Sequence, residues 1–225
     1  TVWWGHGDPN GRPLPFGTLS DVLHRLAEVG PHEPLSERRR KLRDRVGRHV
    51  DVEALWETAA VLGEAMGTSF FDAGTDDGPQ APAGSVLLAD LAMRAWEELL
   101  AAELAAGPIV LVLDDAHSAD LPSMRLFDAA LRNLSNRPFA VVALGRASLV
   151  TTFPALFVGH PDASLVLEEL TEAHARALLG ALASHGIAPS AVAEAAAGAG
   201  GNPFVLEEVA RTLTPLPLGS FQLAR

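Results

Sequence analysis

The feature that most constrains the fold is an apolar run at residues 109–113 that ends in two aspartates, Asp114 and Asp115. The run reads Ile-Val-Leu-Val-Leu, and a short stretch that is apolar at every position is typical of a strand buried on both faces of a parallel sheet. Open α/β sheets bind their ligands at the carboxyl ends of the strands. The run therefore predicts a central strand that brings two carboxylates to a ligand-binding edge.

Strands and helices alternate around this run. The other predicted strands are residues 2–4, 139–144 and 165–167. The helices predicted from apolar spacing are residues 18–29, 35–47, 52–66, 85–106 and 121–134. Thr18 or Ser20 is the expected cap of the first helix, and a stretch rich in Gly, Asp and Pro at residues 70–82 predicts a loop. The alternation predicts an α/β fold.

The pattern changes after Leu170, where only helices are predicted. They are residues 171–185, 190–199 and 203–213. Thr171 is a candidate cap, and Asn202 followed by Pro203 is a strong helix start because proline fits the first helical position. The sequence therefore predicts an α/β domain over residues 1–169, a small helical domain over residues 170–214 and a linker to a following domain over residues 215–225.

Charge and composition exclude several kinds of function. The formal net charge of −11 provides no general attraction for nucleic acid. Without cysteine the chain has no disulfide, thiolate nucleophile or zinc–sulfur site. Its apolar stretches are far shorter than the roughly 20 residues that cross a bilayer. We expect a cytoplasmic protein in which this part binds neither nucleic acid nor membrane.

One local cluster departs from the acidic balance. Basic residues crowd the helix predicted at residues 35–47 and the position just after it: Arg38, Arg39, Arg40, Lys41, Arg43, Arg45 and Arg48. A solvated helix face explains this cluster, and so does contact with an anion or a partner.

Residues 114–120, Asp-Asp-Ala-His-Ser-Ala-Asp, resemble the extended Walker B motif of STAND-type ATPases, with Ser118 where that family commonly has Trp. The resemblance implies that Asp114 holds Mg²⁺ through water, and that Asp115 orients or deprotonates the attacking water. It also implies that His117 senses the γ-phosphate.

The same residues also have a purely structural explanation. A strand that ends in a charged turn needs no ligand, and either Asp115 or Asp120 is suited to cap the helix predicted at residues 121–134. His117 is suited to bond the backbone of the loop instead of a phosphate. Both explanations stay open at the level of sequence.

Two further stretches carry the resemblance. Arg146 follows the strand predicted at residues 139–144, where the family places a polar or basic sensor, so it is implied to neutralise phosphate charge. A solvated arginine is the alternative. Residues 200–208, Gly-Gly-Asn-Pro-Phe-Val-Leu-Glu-Glu, resemble the family's lid motif, in which the proline packs on adenine. Asn202 and Pro203 are thus implied to bind the nucleotide, and an ordinary helix start also explains them.

The beginning of the chain is similar to one branch of this family. Residues 2–23 run from a strand through Leu-Pro-Phe-Gly into a helix, as in large ATP-binding LuxR-type regulators. The chain as a whole thus resembles a STAND/AAA-type P-loop ATPase module. The resemblance implies an ASCE-type parallel sheet with flanking helices, a helical lid, and ATP or ADP with Mg²⁺ as cofactors.

The Walker A loop of that family is not found in the sequence. Such a loop needs Gly-rich backbone and a lysine, whereas Lys41 is the only lysine and lies in the basic cluster. Residues 5–7, Gly-His-Gly, match only in their glycines. We expect a chain cut at both ends, with the lysine strand roughly 20–40 residues upstream or supplied by another chain. Because that strand is central in the family's sheet, its loss is expected to leave a gap in the hydrogen bonding between the remaining strands.

The leading hypothesis is an ATP-binding regulatory switch in a multidomain signalling protein, most like a LuxR-type transcriptional regulator. The resemblance implies slow ATP hydrolysis by the full-length protein and self-association that depends on nucleotide. The alternatives are a nucleotide-independent scaffold that has lost the lysine, and the ATPase module of a serine/threonine kinase or nucleotide cyclase regulator. By itself the piece is expected to be inactive and to bind ATP poorly.

Overall fold

The computed structural model describes residues 1–8, 14–70, 85–156, 164–182 and 189–213. The chain forms two compact units, Thr1–Asp162 and Ala163–Arg225. Apart from Phe70, the loop predicted at residues 70–82 lies outside the described residues, as does the linker predicted at residues 215–225. None of the described helices is both long and apolar enough to span a membrane.

The first unit is built on three parallel strands, β1 (Val2–His6), β2 (Ile109–Asp114) and β3 (Phe139–Ala143), with β2 in the middle. All three are strands that the apolar runs predict, and the mixed α/β class is confirmed. β2 is central because both of its faces are apolar: Leu111 and Leu113 are fully buried on one face, and Val112 is buried on the other.

Helices connect these strands. In the described part of the chain four helices lie between β1 and β2, and a fifth joins β2 to β3: α1 (Gly17–Leu26), α2 (Leu35–Val46), α3 (Val52–Ala65), α4 (Ser85–Ala106) and α5 (Leu121–Asn133). All five agree with the predicted helices to within a few residues. A 3-10 turn at Ala116–Ser118 and the short helix α6 (Ser148–Thr152) were not predicted, because neither is long enough to show a helical period.

The core of the first unit is organised by three aromatic side chains. Trp3 of β1 packs edge-on against Trp96 of α4 with the ring centroids 5.8 Å apart, and Trp96 packs in the same way against Phe127 of α5 at 5.6 Å. All three side chains are essentially inaccessible to solvent. Edge-to-face pairs of this kind add to the gain from apolar burial, so they join the sheet to two helices on one of its faces.

Apolar side chains on the other face of the sheet are half exposed. Val2 and Trp4 of β1 are 54% and 47% exposed, and Val142 of β3 and Leu144 just after it are 43% and 47% exposed. The strand register places Trp4 and Val142 on either side of Val112. The two outer strands therefore have one covered face and one partly open face, whereas β2 is shielded between them.

Most members of the basic cluster make hydrogen bonds or ion pairs within the first unit. Arg38 and Arg39 donate to backbone carbonyls just after α3, those of Gly67 and Ser69, at 3.3 and 2.6 Å. Lys41 donates to Glu33 at 2.5 Å, and this bond lowers the pKa of the Glu33 carboxyl from its ordinary value. These members of the cluster tie α2 to its neighbours, a role that neither interpretation of the sequence anticipated, whereas Arg40, Arg43 and Arg48 are exposed as on a solvated helix face.

The most buried member of the cluster is Arg45, which forms a bidentate ion pair with Glu103 of α4. Both residues are only 8% exposed. The guanidinium carbon also lies 6.0 Å from the centroid of the Trp3 ring. A charge taken out of water needs such partners, so removal of one member of the pair leaves the other uncompensated.

We predict that Arg45→Met destabilises the chain by about 3–5 kcal/mol, because Glu103 is then buried without its counter-ion. The double variant Arg45→Met with Glu103→Leu replaces the whole pair by apolar groups and is expected to recover most of that loss. Urea unfolding followed by circular dichroism measures both. Ordinary surface substitutions change the free energy of unfolding by up to about 0.5 kcal/mol. A change this small in Arg45→Met would contradict the stabilising role of the buried ion pair.

A buried carboxylate connects the turn before α1 with the start of α5. The side chain of Asp120 is 3% exposed and accepts three backbone hydrogen bonds at 2.8–2.9 Å, from the N–H groups of Phe16, Thr18 and Ser123. Asp120 is thus the cap of α5, one of the two candidates from the sequence. The expected caps of α1 are wrong: neither Thr18 nor Ser20 caps it, and Asp120 supplies the acceptor from a distant part of the chain.

We predict that Asp120→Ala lowers the free energy of unfolding by about 2–5 kcal/mol, because three N–H groups lose their acceptor. Asp51, the residue before α3, makes no side-chain cap bond. Asp51→Ala therefore serves as the matched control and is expected to change stability by less than about 0.5 kcal/mol. Chemical denaturation measures both variants, and equal losses would refute a special role for Asp120.

Three helices make up most of the described part of the second unit. Its helices are α7 (Glu172–Leu182), α8 (Pro189–Gly198) and α9 (Pro203–Leu213). They pack around a small apolar core that includes Ala175, Leu179 and Leu206. The hydroxyl of Thr171 accepts from the N–H of His174 at 3.4 Å, so Thr171 is the cap that the sequence predicts.

The strand predicted at residues 165–167 is wrong. Residues 164–170 are irregular, and the side chains of Leu165, Val166 and Leu167 are 81%, 79% and 85% exposed. A strand needs a neighbour that pairs with its backbone groups, and the described residues of the second unit contain no strand. Residues 165–167 favour extended backbone, but a strand forms only where a second strand lies beside it to pair with its backbone groups.

Candidate functional site

The carboxyl edge of the sheet gathers five polar residues of the first unit. β2 ends at Asp114, which is followed by Asp115 and by His117 in the 3-10 turn. Arg146 comes shortly after β3, and His6 ends β1. Four of the five are site residues predicted from the sequence. His6 was not predicted, although its place at the end of an apolar strand run was the signal that could have found it.

The carboxylate of Asp114 has a neighbour at each oxygen. Its Oδ1 accepts the N–H of Asp115 at 2.9 Å, and its Oδ2 lies 3.3 Å from Nε2 of His6. The Asp114 side chain is nevertheless 44% exposed. A carboxylate held in this way keeps lone pairs that face solvent, so it remains able to accept from a ligand or a hydrated cation.

Asp115 adopts an uncommon backbone conformation. Its φ of 46° lies in the left-handed region, which aspartate tolerates better than most residues. Its Oδ1 lies 3.9 Å from Nδ1 of His117. Asp115 precedes the 3-10 turn and makes no side-chain cap bond there, and the cap of α5 is Asp120, so Asp115 is not the cap of α5. The turn leaves its carboxylate free to act at the sheet edge.

His117 connects the end of β2 to the end of β3. Its side chain is 12% exposed, and its Nδ1 accepts the N–H of Arg146 at 3.5 Å. The adjacent Ala116 donates its N–H to the carbonyl of Leu144 at 2.8 Å. His117 therefore bonds loop backbone, as one of the two sequence interpretations expects, and a neutral ring that accepts at Nδ1 carries its proton on Nε2.

The guanidinium of Arg146 projects from an exposed position at the same edge. Its backbone is fixed through His117, but its side chain has no hydrogen bond or ion pair with any described residue. A positively charged side chain with this freedom is able to contact an anion without breaking an internal interaction. The exposed side chain agrees with the solvated arginine that the sequence left open as the alternative.

Gly7 allows the end of β1 to approach the end of β2. Its N–H donates to the carbonyl of Asp114 at 2.9 Å. A Cβ at this position would lie 2.3 Å from the carbonyl oxygen of Asp115 and 2.7 Å from the nitrogen of Ala119. Both of these atoms belong to the backbone, so they cannot rotate away. Gly7 therefore permits a close approach of the two strand ends that a larger residue would prevent.

We predict that Gly7→Ala destabilises the first unit by about 1–3 kcal/mol, because the loop at Asp115 must shift to admit a methyl group. Gly107→Ala is the matched control, since a Cβ there meets nothing within 4 Å. Its stability is expected to stay the same or to rise by up to about 1 kcal/mol. Thermal unfolding of the two variants distinguishes a crowded glycine from an open one, and similar midpoints would contradict the prediction.

Two predicted site residues lie in the second unit, at the start of α9. Asn202 caps this helix, with its Oδ1 accepting the N–H of Phe204 at 3.0 Å, and Pro203 is its first residue. Both are exposed. The preceding Gly201 has a φ of 75°, and its carbonyl accepts the N–H of Leu170 at 2.9 Å. The ordinary helix start is thus present, and the exposed proline remains available to a ligand.

Asp114 is the residue best suited to hold a cation. The described residues contain no group of three or more His, Asp or Glu side chains arranged as a metal site. Mg²⁺ usually keeps several waters and is bound through one or two carboxylates together with substrate phosphates. A half-exposed carboxylate at the carboxyl edge of a parallel sheet, such as that of Asp114, fits this mode of binding.

Comparison of the chain with known proteins gave no match to a family model, to a curated protein or to a solved structure.

Proposed function

We propose that the chain is the ATP-binding, weakly hydrolysing switch module of a multidomain signalling protein. The observation that carries the proposal is the gathering of Asp114, Asp115, His117 and Arg146 at the carboxyl edge of three parallel strands. This is the edge where open α/β sheets bind ligands. Carboxylates for a hydrated cation and an arginine for an anion, at the same edge of the sheet, fit a magnesium–nucleotide complex.

Each side chain has a role that its position allows. Asp114 would hold Mg²⁺ through water, and the bound ion would neutralise charge on the phosphates of ATP. Asp115 is half exposed next to Asp114 and would orient or deprotonate the attacking water. Arg146 has a free guanidinium and would bind phosphate oxygens, while His117 holds its backbone in place.

The phosphate anchor is the part of the site that this chain does not supply. Its only lysine, Lys41, donates to Glu33 at 2.5 Å and to the carbonyl of Glu28 at 2.7 Å. The proposal therefore requires a Gly-rich loop with a lysine from outside these 225 residues. Without it the chain is expected to bind ATP poorly and to show no ATPase activity.

The second unit would act as the lid of the module. The exposed start of α9 supports this role, because Pro203 offers an apolar surface for adenine beside the polar side chain of Asn202. The basis of this assignment is the resemblance of residues 200–208 to the lid motif. Nucleotide binding would favour one state of the module, which an attached output domain would then sense.

The output is proposed to be that of a LuxR-type transcriptional regulator. With a net charge of −11, this part of the protein has little attraction for DNA, so DNA contact is assigned to another domain. The engagement of Lys41 within the fold also favours a second candidate, a scaffold that has the architecture of a nucleotide-binding module but binds no nucleotide. The two candidates differ in one measurable property, the affinity for ATP in the presence of Mg²⁺.

We predict that the full-length protein binds ATP more tightly with Mg²⁺ than with EDTA, and that Asp114→Asn weakens the Mg²⁺-dependent binding at least about tenfold, because the cation loses its carboxylate. Calorimetric titration measures the affinity. Asp90 is an exposed carboxylate of α4, so Asp90→Asn serves as the control and is expected to bind like the parent. If the full-length protein contains no lysine loop and binds no ATP, the scaffold is the correct function.

A further inference from the structure

We propose that His6 is a positioning residue that holds the carboxylate of Asp114 in the orientation needed for the hydrated cation. This inference rests on the proposed function, because it concerns the same site. Its basis is a contact that the sequence did not reveal: Nε2 of His6 lies 3.3 Å from Oδ2 of Asp114. His6 ends β1 and Asp114 ends β2, and the two residues are direct partners in the strand register.

The backbone of His6 is held firmly enough for its side chain to act in this way. Its N–H donates to Oδ2 of Asp21 in α1 at 2.9 Å. That same oxygen accepts from Nε of Arg25 at 2.9 Å. On the other side, Gly7 donates its N–H to the carbonyl of Asp114 at 2.9 Å. The imidazole is thus carried by a strand end that is anchored on both sides.

The contact leaves room for a cation. A carboxylate offers about four lone pairs, and in Asp114 the N–H of Asp115 occupies one on Oδ1 while His6 faces Oδ2. The remaining lone pairs point to solvent, since the side chain is 44% exposed. His6 therefore restricts the rotation of a half-exposed carboxylate without covering it. Partners of this kind, outside the ligand shell, typically change metal affinity by about 10–100-fold.

The test compares two substitutions of His6 in the full-length protein. His6→Leu removes the polar contact and is expected to weaken the Mg²⁺-dependent affinity for ATP by about tenfold, with the affinity in EDTA unchanged. His6→Gln keeps an N–H donor on a side chain of similar reach, so it is expected to retain most of the affinity. His174 is an exposed histidine of α7, and His174→Leu is the control that should match the parent.

A double-mutant cycle separates positioning from general damage. If His6 acts through Asp114, His6→Leu has no further effect on Mg²⁺-dependent binding once Asp114→Asn is present. Thermal midpoints close to that of the parent show that the variants are folded. A full loss of affinity in His6→Gln, or an undiminished affinity in His6→Leu, would overturn the assignment while leaving the proposed function intact.

A second measurement needs no nucleotide, so it tests the contact between His6 and Asp114 even if the protein proves not to bind ATP. If the parent binds no ATP, the same four proteins of the cycle are unfolded in urea. Non-additive shifts of the unfolding midpoint support the contact between His6 and Asp114, because coupled residues do not contribute independently. Additive shifts refute the positioning role.

Discussion

The carboxylate of Asp120 accepts three backbone hydrogen bonds, and the arrangement of the sheet edge depends on these bonds. Two of the donors, Phe16 and Thr18, flank the start of α1, and the third is at the start of α5. Phe16 has a φ of 64°, an unfavourable value for a bulky side chain. The bonds that Asp120 accepts offset this cost. They hold the connection after β1 against the connection after β2, and the candidate site lies between the ends of these strands.

The site combines a fixed backbone with accessible side chains. Gly7 brings β1 against the loop after β2, and His117 accepts from the backbone that follows β3. The carboxylates of Asp114 and Asp115 and the imidazole of His6 all remain about half exposed. Ligand binding at this edge would therefore need little rearrangement of the main chain, and this is the condition under which charged groups contribute most to recognition.

Much of the fold follows from patterns that are local in the sequence. The apolar run of β2 and the periodicity of α4 each extend over several residues, and the bounds of both elements come close to the predicted ones. The predictions failed where the stabilising partner of a segment lies far away in the sequence. Thr18 and Ser20 are good cap residues, yet the acceptor for α1 comes from Asp120. Residues 165–167 favour extended backbone, yet no strand pairs with them in the described part of their unit.

The sequence by itself determined that Asp114 and Asp115 stand at the carboxyl end of a buried strand, because five apolar residues in a row followed by two acids leave few other arrangements. It also indicated the place of Arg146 from the end of the next strand. Only the tertiary structure decided that the imidazole of His6 contacts the carboxylate of Asp114 and that the buried Arg45 of the basic cluster pairs with Glu103. Both results depend on pairings between segments far apart in the chain, and pairing across such distances leaves no periodic trace in the sequence.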